Sequence, residues 1–449
     1  MKRFLHSTAK ICLAALLMLP IASMAQVEKI SYLRPSYFRP YDQTGINVFE
    51  TTKEADPIPF DGLRVRFGAG FTQQFQALKH SNTAVFNQDA NKLYPIKPGF
   101  MTAQANLYMD VQLADGIRLN LTNYMSSRHH NEFWVKGGYI QFDKLPFKGK
   151  IWDDIMEVTT IKLGHMEINY GDAHFRRSDG GHTLYNPFME SYIMDAFATE
   201  IGGEVYVQKN GFFGMVAASN GMIKGNVDSA SSPVDNDARR APSIYGKLGF
   251  DRKISDVVRL RLSGSIYHNS SSAASGLTLY SGDRSGSNYQ NVIETWKDKD
   301  GAVKASTAMY SSGRLNPGFT KKIDAVMFNA FLKAYGFELF GTYETAQGRS
   351  KTETSVRKAS QYAVDGVYRF GKNESLFLGL RYNSAKAELA SQAVEVTVNR
   401  FAVAGGWFIV KNLLLKAEYV DQRYKDFAPA DYRNGAQFKG FVVEAVVGF

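Results

Sequence analysis

The chain has 449 residues, of which 44% are hydrophobic, 13% aromatic and 21% charged, with a formal net charge of +10. Abundant aromatics exclude a disordered chain, and one cysteine excludes a disulfide scaffold. No uncharged apolar run after residue 25 reaches the ~20 residues a spanning helix needs. What remains is a large all-β protein, either soluble or a membrane barrel whose apolar residues are dispersed at period two.

The chain opens on Lys2, Arg3 and Lys10, followed by the apolar run Ile11 to Ala25 with Ser23 and Ala25 at its end. This is the pattern of a secretory signal peptide over residues 1–25, cleaved before Gln26. Removing it removes the sole cysteine, Cys12, and lowers the formal net charge from +10 to +7. That charge is well short of a nucleic-acid footprint. Residues 26–61 carry Pro35, Pro40, Pro57 and Pro59 and read as a periplasmic extension. Tyr32, Tyr37, Phe38 and Tyr41 give it apolar surface, as a free arm or as a segment tucked into a pore.

From Gly62 the pattern changes to alternation. Leu63, Val65, Phe67, Ala69 and Phe71 face one way, and Arg64, Arg66, Thr72 and Gln74 the other. Side chains alternate across a strand, so this is one strand with an apolar and a polar face. The next run, Met101 to Leu113, repeats the pattern and ends at Asp115-Gly116, a hairpin turn pair. Sixteen such runs lie near 62–77, 99–114, 116–126, 132–145, 157–168, 200–209, 211–219, 242–252, 256–268, 322–334, 336–345, 359–370, 375–385, 394–410, 412–424 and 436–449. Short turns at 114–116, 209–211, 252–255, 334–336, 371–374 and 411–412 alternate with longer loops, chiefly 78–98, 169–199, 220–241 and 269–321. An even strand count with short periplasmic turns and long extracellular loops is the layout of a transmembrane antiparallel β-barrel.

The faces support the same assignment. The polar faces carry Arg259, Arg261, Asp365, Arg369, Lys416 and Glu418, which a soluble core would desolvate at large cost. The apolar faces put Tyr382, Trp407 and Tyr419 near strand ends, as in aromatic girdles. Leu107, Leu262 and Val443 are expected to face lipid, and Asn106 to face a wet lumen that accepts even Arg. The last strand alternates to a terminal Phe449, which resembles the assembly signal of outer-membrane barrels. The outer membrane of a Gram-negative bacterium, with its lipid as partner, is the expected location.

Residues 161–181 (IKLGHMEINYGDAHFRRSDGG), 184–207 (LYNPFMESYIMDAFATEIGGEVYV) and 212–221 (FFGMVAASNG) resemble the phosphate-selective porins O and P. The resemblance implies a trimeric, sixteen-stranded outer-membrane channel whose third long loop folds into the lumen. Here that loop is 169–199, inside a barrel spanning 62–449. Basic residues along the pore mark that family's best-known members. In this loop Arg176 and Arg177 stand among Asp172, Asp179, Glu190 and Asp195.

Arg64, Arg66, Arg118, Lys162, Lys247, Arg259, Arg261, Arg369, Arg381 and Lys416 fall on polar strand faces, and Arg176, Arg177 and His174 form the local anion candidate. Basic side chains lining a pore raise the local anion concentration. The competing reading is a wetted wall whose bases are neutralised by Asp110, Glu338, Asp365, Glu418 and Glu444. His129, His130, His165, His174 and His182 lack metal-ligand spacing. Ser263, Ser265 and His268 share one strand, which is no catalytic geometry. No enzyme, metal or cofactor is therefore expected. The Ser- and Gly-rich loop 269–321 reads as a wet surface lid, with Ser272 and Ser287 open to labelling from outside.

The function expected is passive diffusion of small hydrophilic solutes, with a lean toward anions such as phosphate. The alternative is a structural or partner-binding barrel with a plugged lumen.

Overall fold

The computed structural model describes residues 38–51, 53, 59–85, 91–125, 133–221, 240–272, 276–283, 285–297, 301–304 and 311–449. The expected signal peptide over residues 1–25, Tyr32, Tyr37 and the His129-His130 pair lie outside the described residues.

The sixteen expected runs form sixteen antiparallel strands in one closed sheet. They are β1 (Arg64–Ser81), β2 (Gln104–Ala114), β3 (Ile117–Met125), β4 (Trp134–Phe142), β5 (Thr159–Glu167), β6 (Thr199–Lys209), β7 (Phe212–Ser219) and β8 (Ser243–Ser255). They continue as β9 (Val258–Asn269), β10 (Lys322–Ala334), β11 (Phe337–Arg349), β12 (Arg357–Phe370), β13 (Leu376–Ala387), β14 (Val396–Val410), β15 (Leu413–Lys425) and β16 (Gln437–Gly448). A two-residue piece, Gly99–Phe100, continues β2 along β1 beyond an irregular step.

Each strand pairs with its sequence neighbour, and β16 pairs with β1 from Gly70↔Gly448 to Ser81↔Gln437. Phe449 adds a reciprocal bond pair with Ala69 at 2.9 and 3.1 Å. At the short-turn end, Asn210 and Gly211 both take positive φ (55° and 87°), the conformation a two-residue hairpin needs. One connection there is longer and holds a short helix, α1 (Lys150–Met156), which alternation alone gave no sign of.

The two faces of the wall separate as the pattern demands. Leu107, Leu262 and Val443 point outward, each 48% exposed. Phe212, Phe337, Phe370, Trp407 and Tyr335 are exposed at the short-turn end. A closed ladder with an apolar exterior satisfies its backbone without water, so this is a membrane-spanning barrel.

The interior differs from a wide wet lumen. Asn106 faces inward but is wholly buried, bonded to Tyr108 Oη and Asp179 at 3.0 Å each. The lumen is filled at that level, so the expected tolerance for Arg does not hold there. The loop 269–321 is likewise buried over most of its described length, although 301–303 are exposed. Ser272 and Ser287 are each 1% exposed, and Leu279, Tyr289 and Val292 are as deeply buried. Its Ser, Gly and Asn content reads as wet, but these scattered apolar residues give it a core to join.

Two measurements test this geometry. Leu107→Arg and Leu262→Arg should each lower barrel stability by ~2–4 kcal/mol, whereas Thr122→Arg, which opens onto an inner cavity, should cost little. Equal losses in reversible unfolding would reverse the face assignment. A cysteine at the exposed Val303 should react with an impermeant reagent on intact cells, and one at Ser287 should not. Labelling of Ser287→Cys alone would place the loop outside the barrel.

Candidate functional site

Side chains of a sixteen-strand wall do not reach far enough to fill the lumen. Three chain segments enter it instead. Their backbone groups are cut off from bulk water and need partners, and the polar face of the wall supplies them.

The first segment is residues 38–50. Tyr41 stacks on Tyr108 at 3.9 Å between centroids and donates to Asp110 at 3.2 Å. Asn47 donates to Glu338 at 2.6 Å, and Glu50 meets Arg261 at 2.7 Å and Lys247 at 3.1 Å. The second is the loop 168–198. The amides of Met189, Ile193 and Met194 donate to Glu418 (2.9 Å), Asn383 (2.7 Å) and Gln361 (2.8 Å) on the wall. The third is the described part of 276–319. Ser287 Oγ and the Asn288 amide donate to Glu190 of the second loop at 2.7 and 2.6 Å, and Arg400 and Gln422 hold the Gly313 carbonyl at 3.0 and 2.9 Å.

The basic residues singled out from the sequence mostly serve this packing. Arg381 pairs with Asp365 at 2.7 Å and donates to the Glu190 carbonyl at 2.7 Å. Lys416 pairs with Glu444 and donates to the carbonyls of Thr183, Asn186 and Phe188 at 3.0, 3.0 and 3.2 Å. Arg261 is held by Asp172 (2.7 Å), Glu50 and Asp251 (3.1 Å), and Arg259 by Asp251 at 2.6 Å. Lys247 joins the same cluster through Asp172 at 2.8 Å. Arg369 pairs with Glu338 at 2.8 Å, Arg66 with Asp110 at 2.6 Å, and Arg118 with Asp143. Arg64 binds Asp61 at 2.7 Å near the short-turn end.

The loop candidates do not form one anion site. Arg176 lies between Phe331 and Phe340, 5.4 and 5.0 Å from their centroids, with Asn47 as its hydrogen-bond partner. Arg177 points elsewhere, to Asp195 and Asp283. His174 bridges Glu167 at 2.6 Å and Asn169 at 2.9 Å. Asp283 also binds Lys136 of β4 at 2.7 Å, which ties the two loops to the wall. Burial alone would raise the Asp283 carboxyl, but Lys136 and Arg177 outweigh it and hold it well below the usual carboxylate range. Lys136 and Asp283 give no sign of this role in the sequence, because their pairing depends on how the loop folds back.

Beside the plug, against the wall of β2 to β6, lies a cavity of about 280 Å³. Tyr41, Tyr108, Tyr139, Tyr185 and Tyr206 border it, with Lys162, His165 and Glu167. Lys162 stands over Tyr139 and Tyr206 at 5.3 and 5.0 Å. Alone among the predicted basic residues, it makes no ion pair with a described residue. Among the described residues, no cluster of three His, Cys, Asp or Glu side chains could hold a metal.

No protein-family model matches the chain, and no curated protein matches it in sequence. Solved structures do match it. The anion-selective porin from Comamonas acidovorans is 10% identical over 86% of this chain and 100% of its own, with a TM-score of 0.51. The outer membrane channel DcaP of Acinetobacter baumannii is 11% identical over 86% of this chain and 98% of its own, at 0.49. Outer-membrane expressed OmpT of Vibrio cholerae is 10% identical over 87% and 99%, at 0.47. The first of these shares the fold of this chain, a porin-type β-barrel.

Asp283→Asn removes the carboxylate that Lys136 and Arg177 share. Breaking a buried pair costs about 3–5 kcal/mol, so the loop 276–297 should open locally and be cut faster by protease while the barrel stays folded. An unchanged cleavage rate would remove this ion pair from the role of loop latch.

Proposed function

We propose that the chain is an outer-membrane porin of a Gram-negative bacterium that passes small hydrophilic solutes by diffusion. The observation that carries this reading is the polar, tyrosine-bordered cavity beside the plug inside a closed barrel. A lean toward anions such as phosphate goes with it. It rests on Lys162, which lines that cavity and makes no ion pair with a described carboxylate, and on the resemblance of 161–219 to the phosphate-selective porins. The same resemblance supports a homotrimer. The lean is modest, because Glu167 and Asp179 border the same cavity and salt screens charge beyond ~8–10 Å.

A second reading has its own observation. The wall's polar groups bind loop backbone at many points, as a barrel with a permanent plug would require. That barrel would act through its surface and not through its lumen.

Conductance in a planar bilayer separates the two. The porin should give an ohmic current with a reversal potential on the anion side in a potassium chloride gradient. Lys162→Glu should move that potential toward cations, whereas Arg259→Gln, a paired wall residue, should leave it nearly unchanged. Absence of current from folded protein would favour the plugged barrel. A current whose reversal potential ignores Lys162→Glu would leave a non-selective pore.

A further inference from the structure

The lipid-facing wall is not smooth. Strands β6 to β12 border a groove of about 1130 Å³ on its outer side. Its floor is made of residues without bulk. Gly214 and Gly264 both stand opposite Leu248, and Ala330 stands opposite Gly341. A Cβ added at Gly341 would meet nothing within 4 Å. The sides are aromatic, with Phe212 and Phe250 at 5.0 Å between centroids near the short-turn end and Phe328 and Tyr343 further along.

The charge below the groove differs from the charge in the lumen. Lys209 lines the groove where β6 turns into β7. The end of β8 lies against it, with the Asp251 amide donating to the Gly211 carbonyl at 2.8 Å. Arg252, on β8, shares the outward face of Leu248 and Phe250, whereas Lys253 shares the inward face of Asp251. Lys209 and Arg252 are exposed, and neither makes an ion pair with a described residue. Asp256, in the turn that follows, is also exposed. An apolar groove in a lipid-facing wall, ending at two cations at headgroup level, has the chemistry of one ligand class.

We propose that this groove binds an anionic phospholipid of the periplasmic leaflet. Its acyl chains lie on the glycine floor, and its phosphate sits between Lys209 and Arg252. A zwitterionic lipid brings its own cation to this site and offsets its charge less. A second copy of the barrel would have to desolvate the same cations, a cost that a hydrated lipid headgroup does not impose.

The test is native mass spectrometry of the folded barrel offered equimolar palmitoyl-oleoyl phosphatidylglycerol and phosphatidylcholine. The wild type should retain phosphatidylglycerol in preference. Lys209→Gln and Arg252→Gln should each weaken that retention about fivefold at low salt. Gly341→Leu should fill the groove and lower binding of both lipids. Gly366→Leu also points into open space but lies outside the groove, so it should change nothing. Heat-modifiable gel mobility confirms that each variant is folded. Equal retention by the wild type and the double variant Lys209→Gln/Arg252→Gln would overturn the proposal, as would matching behaviour of Gly341→Leu and Gly366→Leu. Disulfide dimers through Leu248→Cys in native membranes would assign the face to a second copy instead, and would also overturn it.

Discussion

The closed hydrogen-bond ladder is the constraint from which the rest of this molecule follows. In hydrocarbon a strand edge has no water to bond, so β16 must return to β1. Closure fixes which face of every strand meets lipid, and period-two alternation then sends most polar side chains of the strands inward. Sixteen strands also set the diameter, which is too wide for wall side chains to meet across it. The polar interior must then be filled with water or with more chain. Here residues 38–50, the loop 168–198 and the described part of 276–319 fill much of it.

Filling the lumen with chain raises a second demand, because a loop has no ladder of its own. Its amides and carbonyls need partners inside the barrel. Glu418, Asn383 and Gln361 accept from three amides of one loop, while Lys416 holds three of its carbonyls. Charged wall groups suit this task because hydrogen bonds to ions are roughly twice as strong as neutral ones. The same charges would be costly if left alone, so most of the predicted wall cations sit beside a carboxylate. The cluster of Arg259, Arg261 and Lys247 with Asp172, Asp251 and Glu50 shows the balance, with three charges of each sign.

What could be read in advance follows the range of the interactions. Strand number, face and turn side depend on neighbours along the chain or across one hairpin, and alternation with Asp-Gly and Asn-Gly pairs shows them directly. The inward loops depend on contacts more than a hundred residues apart, such as Arg177 with Asp283 and Ile193 with Asn383. Composition misleads there. The loop 269–321 is rich in Ser and Gly, yet Leu279, Tyr289 and Val292 anchor it in the lumen. Arg176 and Arg177 are adjacent in sequence and look like one basic site, but they diverge toward different partners. The helix α1 sits in a connection where period-two alternation carries no signal.

The pairing of the wall also changes what net charge means for a pore. A net charge of +10 describes the whole chain, whereas a solute in the lumen feels only charge that neighbours have not cancelled. Arg259 and Arg261 share one inward strand face and look like the strongest anion attractors in the sequence. In the fold their field is closed off by Asp251, Asp172 and Glu50 within 3.1 Å. Lys162 is a less conspicuous residue, alone on its strand face, yet it lines the cavity with no ion pair to a described residue. The field in such a lumen is therefore set by the carboxylates that the plug does not bring near, and the plug that narrows the lumen also selects which wall charges act there.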